Sequence, residues 1–241
     1  MKSILENIRA SAERKERLLA VLIDPDKFII KELAQFIEQV NNSIITHVFV
    51  GGSAVEDNIT QALVSAIKPL TALPIVLFPG DVSQISNDAD AILFLSLVSG
   101  RNPEYLIEQH VKSVSKLRNM DLEVIPTGYI LIEGGKETAT LKVTNTKPLK
   151  EQQHIVDTAK ASELLGMKLI YLEAGSGAHL EVSAKTIKAV KEDIKIPLLV
   201  GGGIRSKVQL ENAYSAGADL VVIGTAFEDN AGFFEELSDI K

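Results

Sequence analysis

The stretch IPLLVGGGIRSKVQLENAYSAGADLVVIGTAF, Ile196 to Phe227, holds two apolar runs separated by one amphipathic segment. Ile196–Gly203 and Leu220–Gly224 are nearly continuous in Val, Ile and Leu, as strands covered on both faces are. Between them, Lys207–Ala216 has helical spacing, and Ser206 stands where an N-cap belongs. Both strands end in glycine just before a helix-like segment. The unit is a strand, a glycine-rich exit, a helix and the next strand.

The same unit recurs upstream. Further apolar runs are Leu18–Asp24, Thr46–Gly52, Pro74–Gly80, Asp90–Ser96, Glu123–Ile130 and Met167–Gly175. Amphipathic stretches lie between them at Lys31–Val40, Asp57–Lys68, Pro103–Arg118, Glu151–Leu165 and Ser183–Lys191. Strands alternating with helices over 241 residues predict an α/β fold, a closed (β/α)8 TIM barrel. An open doubly wound sheet is the alternative. No Pro/Gly/Ser-rich linker interrupts the chain, so residues 1–241 are expected to form a single domain.

Two segments break the rhythm. Only DVSQISNDA, Asp81 to Ala89, joins the third strand to the fourth, which is too short for a full crossover. The third helix is therefore expected to be missing or rudimentary, leaving an opening in the outer ring. The segment YILIEGGKETATLKVTNTKPL, Tyr129 to Leu149, is far too long for a tight turn. Its TATLKV alternates as a hairpin does, and it should travel over one end of the barrel.

Composition excludes several classes. There is no cysteine, hence no disulfide, thiolate metal site or cysteine nucleophile. A net charge of −7 opposes general nucleic-acid binding, which needs a basic face. It leaves room for an anionic substrate held by a local cluster of amides. No apolar run reaches the ~18 residues that would span a bilayer. The N-terminal MKSILENIRASAERKERLL is charged throughout and lacks a signal-peptide core, so a cytoplasmic protein is expected.

Sites on such barrels sit where strands end. There the chain reads LIDPDK, VGGSAVED, FPGD, LEAGSG, VGGGIRS and IGTAFED. Glycine-rich ends on the seventh and eighth strands are the recurrent phosphate site of this architecture, because main-chain N–H groups and a helix N-terminus supply positive charge. Gly201, Gly202, Gly203, Gly224 and Thr225 are the candidates, with Gly175, Ser176 and Gly177 of the sixth strand beside them. Glu173 would repel a phosphate, so it is better suited to substrate hydroxyls, as hydrogen-bond acceptor or as base. Asp24 and Ser53, ending the first two strands, offer one carboxylate and one hydroxyl. That set suits magnesium that takes its other ligands from substrate phosphates and water. Taken alone, Asp24 suits an N-cap of the next helix equally well, although Asp26 is the better cap, and Lys27 is expected to be solvated rather than bound to phosphate. His47 should be packed in its strand, His110 and His154 lie in helices, and His179 and Arg205 stand close to the rim.

Together, LIDPDK, VGGS, PTGYILI, YLEAGSG, VGGGIRS and IGT resemble the geranylgeranylglyceryl phosphate synthase family, in order, from Asp24 to Thr225. The resemblance implies a modified barrel without its third helix. It implies a Mg2+-dependent prenyltransferase that joins sn-glycerol 1-phosphate to a polyprenyl diphosphate, most commonly geranylgeranyl, and releases diphosphate. Carried over by position, Asp24 and Ser53 would hold magnesium. Tyr171, Leu172, Glu173, Ala174, Gly175, Ser176 and Gly177, with Gly202, Gly203, Gly224 and Thr225, would hold glycerol 1-phosphate. Some bacterial members carry lysine two residues before the metal aspartate; here Leu22 stands there, so the glycine loops must hold the phosphate. The prenyl tail would lie in the opening near Phe78, Phe94 and Leu97, with Tyr105 at its far end. A homo-oligomer, dimer or hexamer, is expected. The competing reading is a sugar-phosphate isomerase of the histidine or tryptophan biosynthesis type. That chemistry needs a second acid opposite Asp24, and the fifth strand offers none before Glu133.

Overall fold

Residues 3–52, 55–229 and 232–237 are described by a computed structural model. Eight parallel strands close in chain order into a barrel: β1 (Leu18–Ile23), β2 (His47–Val50), β3 (Ile75–Leu77), β4 (Ala91–Leu97), β5 (Glu123–Leu131), β6 (Leu169–Glu173), β7 (Leu198–Gly201) and β8 (Leu220–Ile223). Closure comes from β8 pairing with β1, Leu18 opposite Leu220. Period-2 alternation splits each strand between two cores. Ala20, Phe49, Val76, Leu93, Leu169 and Leu199 fill the barrel, whereas Val21, Val48, Leu77, Ile170 and Val200 meet the surrounding helices. Because both faces are covered, the strands read as unbroken apolar runs.

The helices are α1 (Ile4–Glu13), α2 (Leu33–Asn41), α3 (Ile59–Ile67), α4 (Gln109–Leu117), α5 (Ala139–Thr144), α6 (Gln152–Leu164), α7 (Ala184–Asp193), α8 (Lys207–Ser215), α9 (Thr225–Asp229) and α10 (Phe233–Leu237). As expected, Ser206 caps α8, its hydroxyl accepting from the Gln209 N–H. Asp26, by contrast, caps nothing. The next α-helix begins only at Leu33, and the Asp26 carboxylate accepts from the Glu56 N–H at 3.4 Å.

The connection from β3 to β4 holds one 3-10 turn, Val82–Gln84, and no α-helix, as its length dictates. Buried Gln84 ties this turn to the end of β2. Its amide donates to the Gly52 carbonyl at 2.8 Å and accepts from the Gly52 N–H at 3.1 Å.

The excursion after β5 does cross the C-terminal end of the barrel, and Leu149 returns to bridge Ile132. Its interior is helical rather than a hairpin. The Thr138 hydroxyl accepts from the Leu141 N–H and starts α5, and Asn145 in a left-handed conformation ends it. Leu141 packs toward the barrel interior. A six-residue alternation carries too little period to separate strand from helix, and the cap decides.

The N-terminal segment forms a helix that the charge reading passes over. In α1, Ile4 and Ile8 join the inner core with Leu18 and Ala20 and so close the barrel floor. Burying a side chain such as Ile8 contributes about 1.5–3 kcal/mol. The Glu123 carboxylate holds the helix start, accepting from the Ser3 hydroxyl at 2.5 Å and the Ile4 N–H at 2.6 Å.

Candidate active site

A cavity of about 430 Å3 opens at the C-terminal ends of the strands. Tyr171, Glu173, Ser176, Gly177, Gly202 and Gly203 form one wall, Gly224 and Thr225 a second, and Asp24 with Gly52 the side opposite. The sequence assigns all of these except Gly52 to substrate or metal. Ser53, the other expected metal ligand, lies outside the described residues.

The glycines have steric reasons. Gly177, Gly202 and Gly203 adopt φ of +69°, +83° and +75°, a region that disfavours side chains. A Cβ on Gly202 would stand 2.3 Å from Glu173 Oε1 and 2.6 Å from the Gly175 nitrogen. Among the described residues, the main-chain N–H groups of Ser176, Gly177 and Gly203 have no hydrogen-bond acceptor. Three unspent donors around one cavity make a cradle for an anion.

Three residues of the expected substrate set are not among those that line the cavity. Leu172 and Ala174 point outward and pack in the core between strands and helices, because they alternate with Tyr171 and Glu173. The Ala174 N–H is bonded to the Gly201 carbonyl at 3.0 Å. Gly175 sits beneath Thr138, where a Cβ would come within 2.1 Å of the threonine methyl. Its N–H donates to Glu173 Oε1 at 2.6 Å and so helps to orient the carboxylate.

Glu173 is the buried acid among the residues that line the cavity. It is buried at the end of β6 and accepts from the Tyr171 hydroxyl as well as from the Gly175 N–H. Burial pushes its carboxyl up to about 7, against the downward pull of those two donors. A group poised there exchanges protons readily near neutral pH. Tyr129 stacks on Tyr171 with centroids 5.4 Å apart. Burial and the neighbouring Glu173 raise both phenols well above their ordinary value, so they remain neutral.

Across the cavity Asp24 is held by Lys27, whose Nζ lies 2.8 Å from its Oδ2. Lys27 remains solvent-exposed, as expected, while its ammonium faces Asp24. Asp24 also sits against the end of β2, since a Cβ on Gly52 would fall 2.8 Å from Oδ1. The Asp24 carboxylate is a hard oxygen donor of the kind magnesium takes, and an ion bound there would compete with Lys27 for it. No cluster of three acidic or histidine side chains with metal-binding geometry occurs among the described residues, so any ion here would need ligands from substrate and water.

An apolar groove adjoins the cavity where the third helix is missing. Phe78, Phe94, Leu97 and Tyr105 line it, and Phe78, Tyr129 and Thr140 belong to both spaces. Sequence reading found these walls but missed Lys136. Lys136 lines the polar cavity, and its Nζ lies 3.5 Å from where a Cβ on Gly177 would be. The signal was the Gly-Gly-Lys of the β5 excursion, lost in a segment taken for a hairpin. Arg205 also reaches the cavity. His179 does not, and His47 is packed in the barrel, as expected.

An amide cradle, a buried acid and an adjoining apolar groove on one rim define an anion-binding (β/α)8 barrel. The chain belongs to the PcrB family, which matches residues 11–240. It is 54% identical over 231 residues to the geranylgeranylglyceryl phosphate synthase of Zunongwangia profunda, covering 95% of this chain and 98% of that one. With the synthase of Flavobacterium johnsoniae the identity is 51% over 235 residues, 97% of each chain. The crystal structure of (S)-3-O-geranylgeranylglyceryl phosphate synthase from Thermoplasma acidophilum, in complex with the substrate sn-glycerol-1-phosphate, superposes with a TM-score of 0.92. That pair shares 32% identity over 99% of this chain and 96% of the other.

Proposed function

We propose that this protein is a prenyltransferase that joins sn-glycerol 1-phosphate to geranylgeranyl diphosphate, making the ether-linked glyceryl phosphate and diphosphate. The observation that carries the reading is the shared boundary of the two spaces. A polar cavity and an apolar groove meet at Phe78 and Tyr129, and one buried acid, Glu173, lines the polar side. The Thermoplasma acidophilum complex supports the identity of the polar substrate.

Chemistry follows from position. The N–H groups of Ser176, Gly177 and Gly203, with Lys136, take the phosphate, and the start of α9 at Thr225 adds its dipole. The glycerol 3-hydroxyl then faces Glu173, whose carboxylate accepts the proton as the oxygen attacks the allylic C1. Tyr171 and Gly175 fix the carboxylate's orientation. Asp24 would hold magnesium together with the diphosphate, where the ion neutralises the charge of the leaving group. Leu22, which lines the cavity, contributes no charge, so the amides and Lys136 carry the phosphate. Ile107, Val111 and Val114 form an exposed apolar stripe around α4 that supports self-association into a symmetric oligomer.

The isomerase reading fares worse. Glu133, the acid it requires, pairs with Lys150 at 3.1 Å and is not part of the cavity. The test is incubation with sn-glycerol 1-phosphate, magnesium and prenyl diphosphates of graded length, with diphosphate and ether product measured. Ether formation, best at geranylgeranyl length, is expected. No product at any length would refute the reading.

A further inference from the structure

Phe78 and Tyr129 stand between the groove and the cavity, with Tyr171 beside them on the cavity side. Phe78 meets Tyr171 with centroids 5.3 Å apart and Tyr129 at 5.8 Å, both edge-on at 67°. Tyr129 and Tyr171 are stacked at 13°. Phe78 is the half-buried member, and the other two are buried. Its position is fixed by the backbone, since a Cβ on Gly51 would overlap the Phe78 carbonyl oxygen at 1.9 Å.

A hydrocarbon lying in the groove with its polar end in the cavity must cross this partition. We infer that Phe78, with Tyr129 and Tyr171 behind it, is a catalytic residue whose ring stabilises the allylic cation formed during prenyl transfer. This role rests on the prenyltransferase reading. As the C1–O bond breaks, the electron pair leaves with diphosphate, and positive charge spreads over C1 and C3 of the allyl group. The electron-rich faces of aromatic rings attract that charge, most strongly where water is excluded. The glycerol oxygen then closes the new C1–O bond, and its proton goes to Glu173. Rings suit this position because they stabilise a cation without offering it a nucleophile. The two phenols fit the same need. Tyr171 donates to Glu173 and Tyr129 is hydrogen-bonded to Thr140, so neither is an ionised oxygen that the cation would alkylate.

The test replaces Phe78 with mono-, di- and trifluorophenylalanine, which keep the ring's shape while draining its face of electron density. Single-turnover ether formation should fall stepwise with fluorine number, by about tenfold or more across the series. A second reading uses an ammonium analogue of the allylic cation, bound in the presence of diphosphate, whose affinity should fall in the same order. Turnover and analogue affinity that stay flat across the series, with the wild type active, would overturn the role of the ring alone. A wild type that makes no ether with any prenyl diphosphate would overturn the transferase reading and this role with it.

Discussion

Glu173→Gln should stabilise the fold while abolishing its chemistry. Burial raises this carboxyl from 4.5 to about 7 in the folded protein. The folded state therefore keeps a proton that the unfolded chain releases, and stability falls as pH rises between those two values. Above pH 7 the loss is complete and the curve is flat. A difference between 4.5 and about 7, at about 1.4 kcal/mol per pH unit, amounts to roughly 3 kcal/mol. Glutamine has nearly the same shape, can still accept one of the two hydrogen bonds and carries no charge to bury. At pH 8.5 the variant should thus exceed the wild type by roughly 3 kcal/mol, or about 6–12 °C in melting temperature for a chain of this size. At pH 4.5 the two should nearly coincide. Urea denaturation at both pH values measures the gap. Turnover of the variant should drop by about 10²–10⁴, the usual contribution of a positioned base. An identical gap at both pH values, or a less stable variant at pH 8.5, would refute the assignment of a strained, buried carboxylate.

Other outcomes follow from single contacts. Gly202→Ala forces a Cβ toward Glu173 Oε1 at a φ of +83°, and should cost about 1–3 kcal/mol in urea denaturation together with turnover. Lys136→Ala should raise KM for glycerol 1-phosphate about tenfold with little change in kcat, as expected for loss of one charge-assisted hydrogen bond. Asp24→Asn should raise the magnesium concentration for half-maximal turnover about tenfold, read by titrating the metal at fixed substrates. His47, buried with no partner for Nε2 among the described residues, is pushed down to about 4 by burial. Its unfolded form protonates first, so stability is lost as pH falls from about 6.5 toward 4. His47→Leu should therefore move the midpoint of acid unfolding, followed by circular dichroism, to lower pH.

The fold was legible because a parallel barrel buries both faces of every strand, and runs such as Leu18–Ile23 and Leu220–Ile223 carry that signature without ambiguity. The missing third helix was legible from chain length alone. Less was legible where a single cap or one contact decides. Thr138 turns TATLKV into α5, and the pairing of Glu123 with residues 3–5 makes a floor plug of a charged segment. The glycine ends of β6 to β8 pointed to the cradle, yet only the folded structure separates Gly177 and Gly203, whose amides have no acceptor among the described residues, from Gly175, whose amide is spent on Glu173. Lys136 escaped because it comes from a long excursion whose path over the rim depends on packing, which local patterns do not encode.

A crystal of the protein soaked with sn-glycerol 1-phosphate tests the account most directly. The phosphate should lie against the N–H groups of 177 and 203 and the start of α9, with the 3-hydroxyl on Glu173 and its carbon chain aimed at Phe78. A phosphate bound beside Asp24, or a hydroxyl turned away from Glu173, would contradict it.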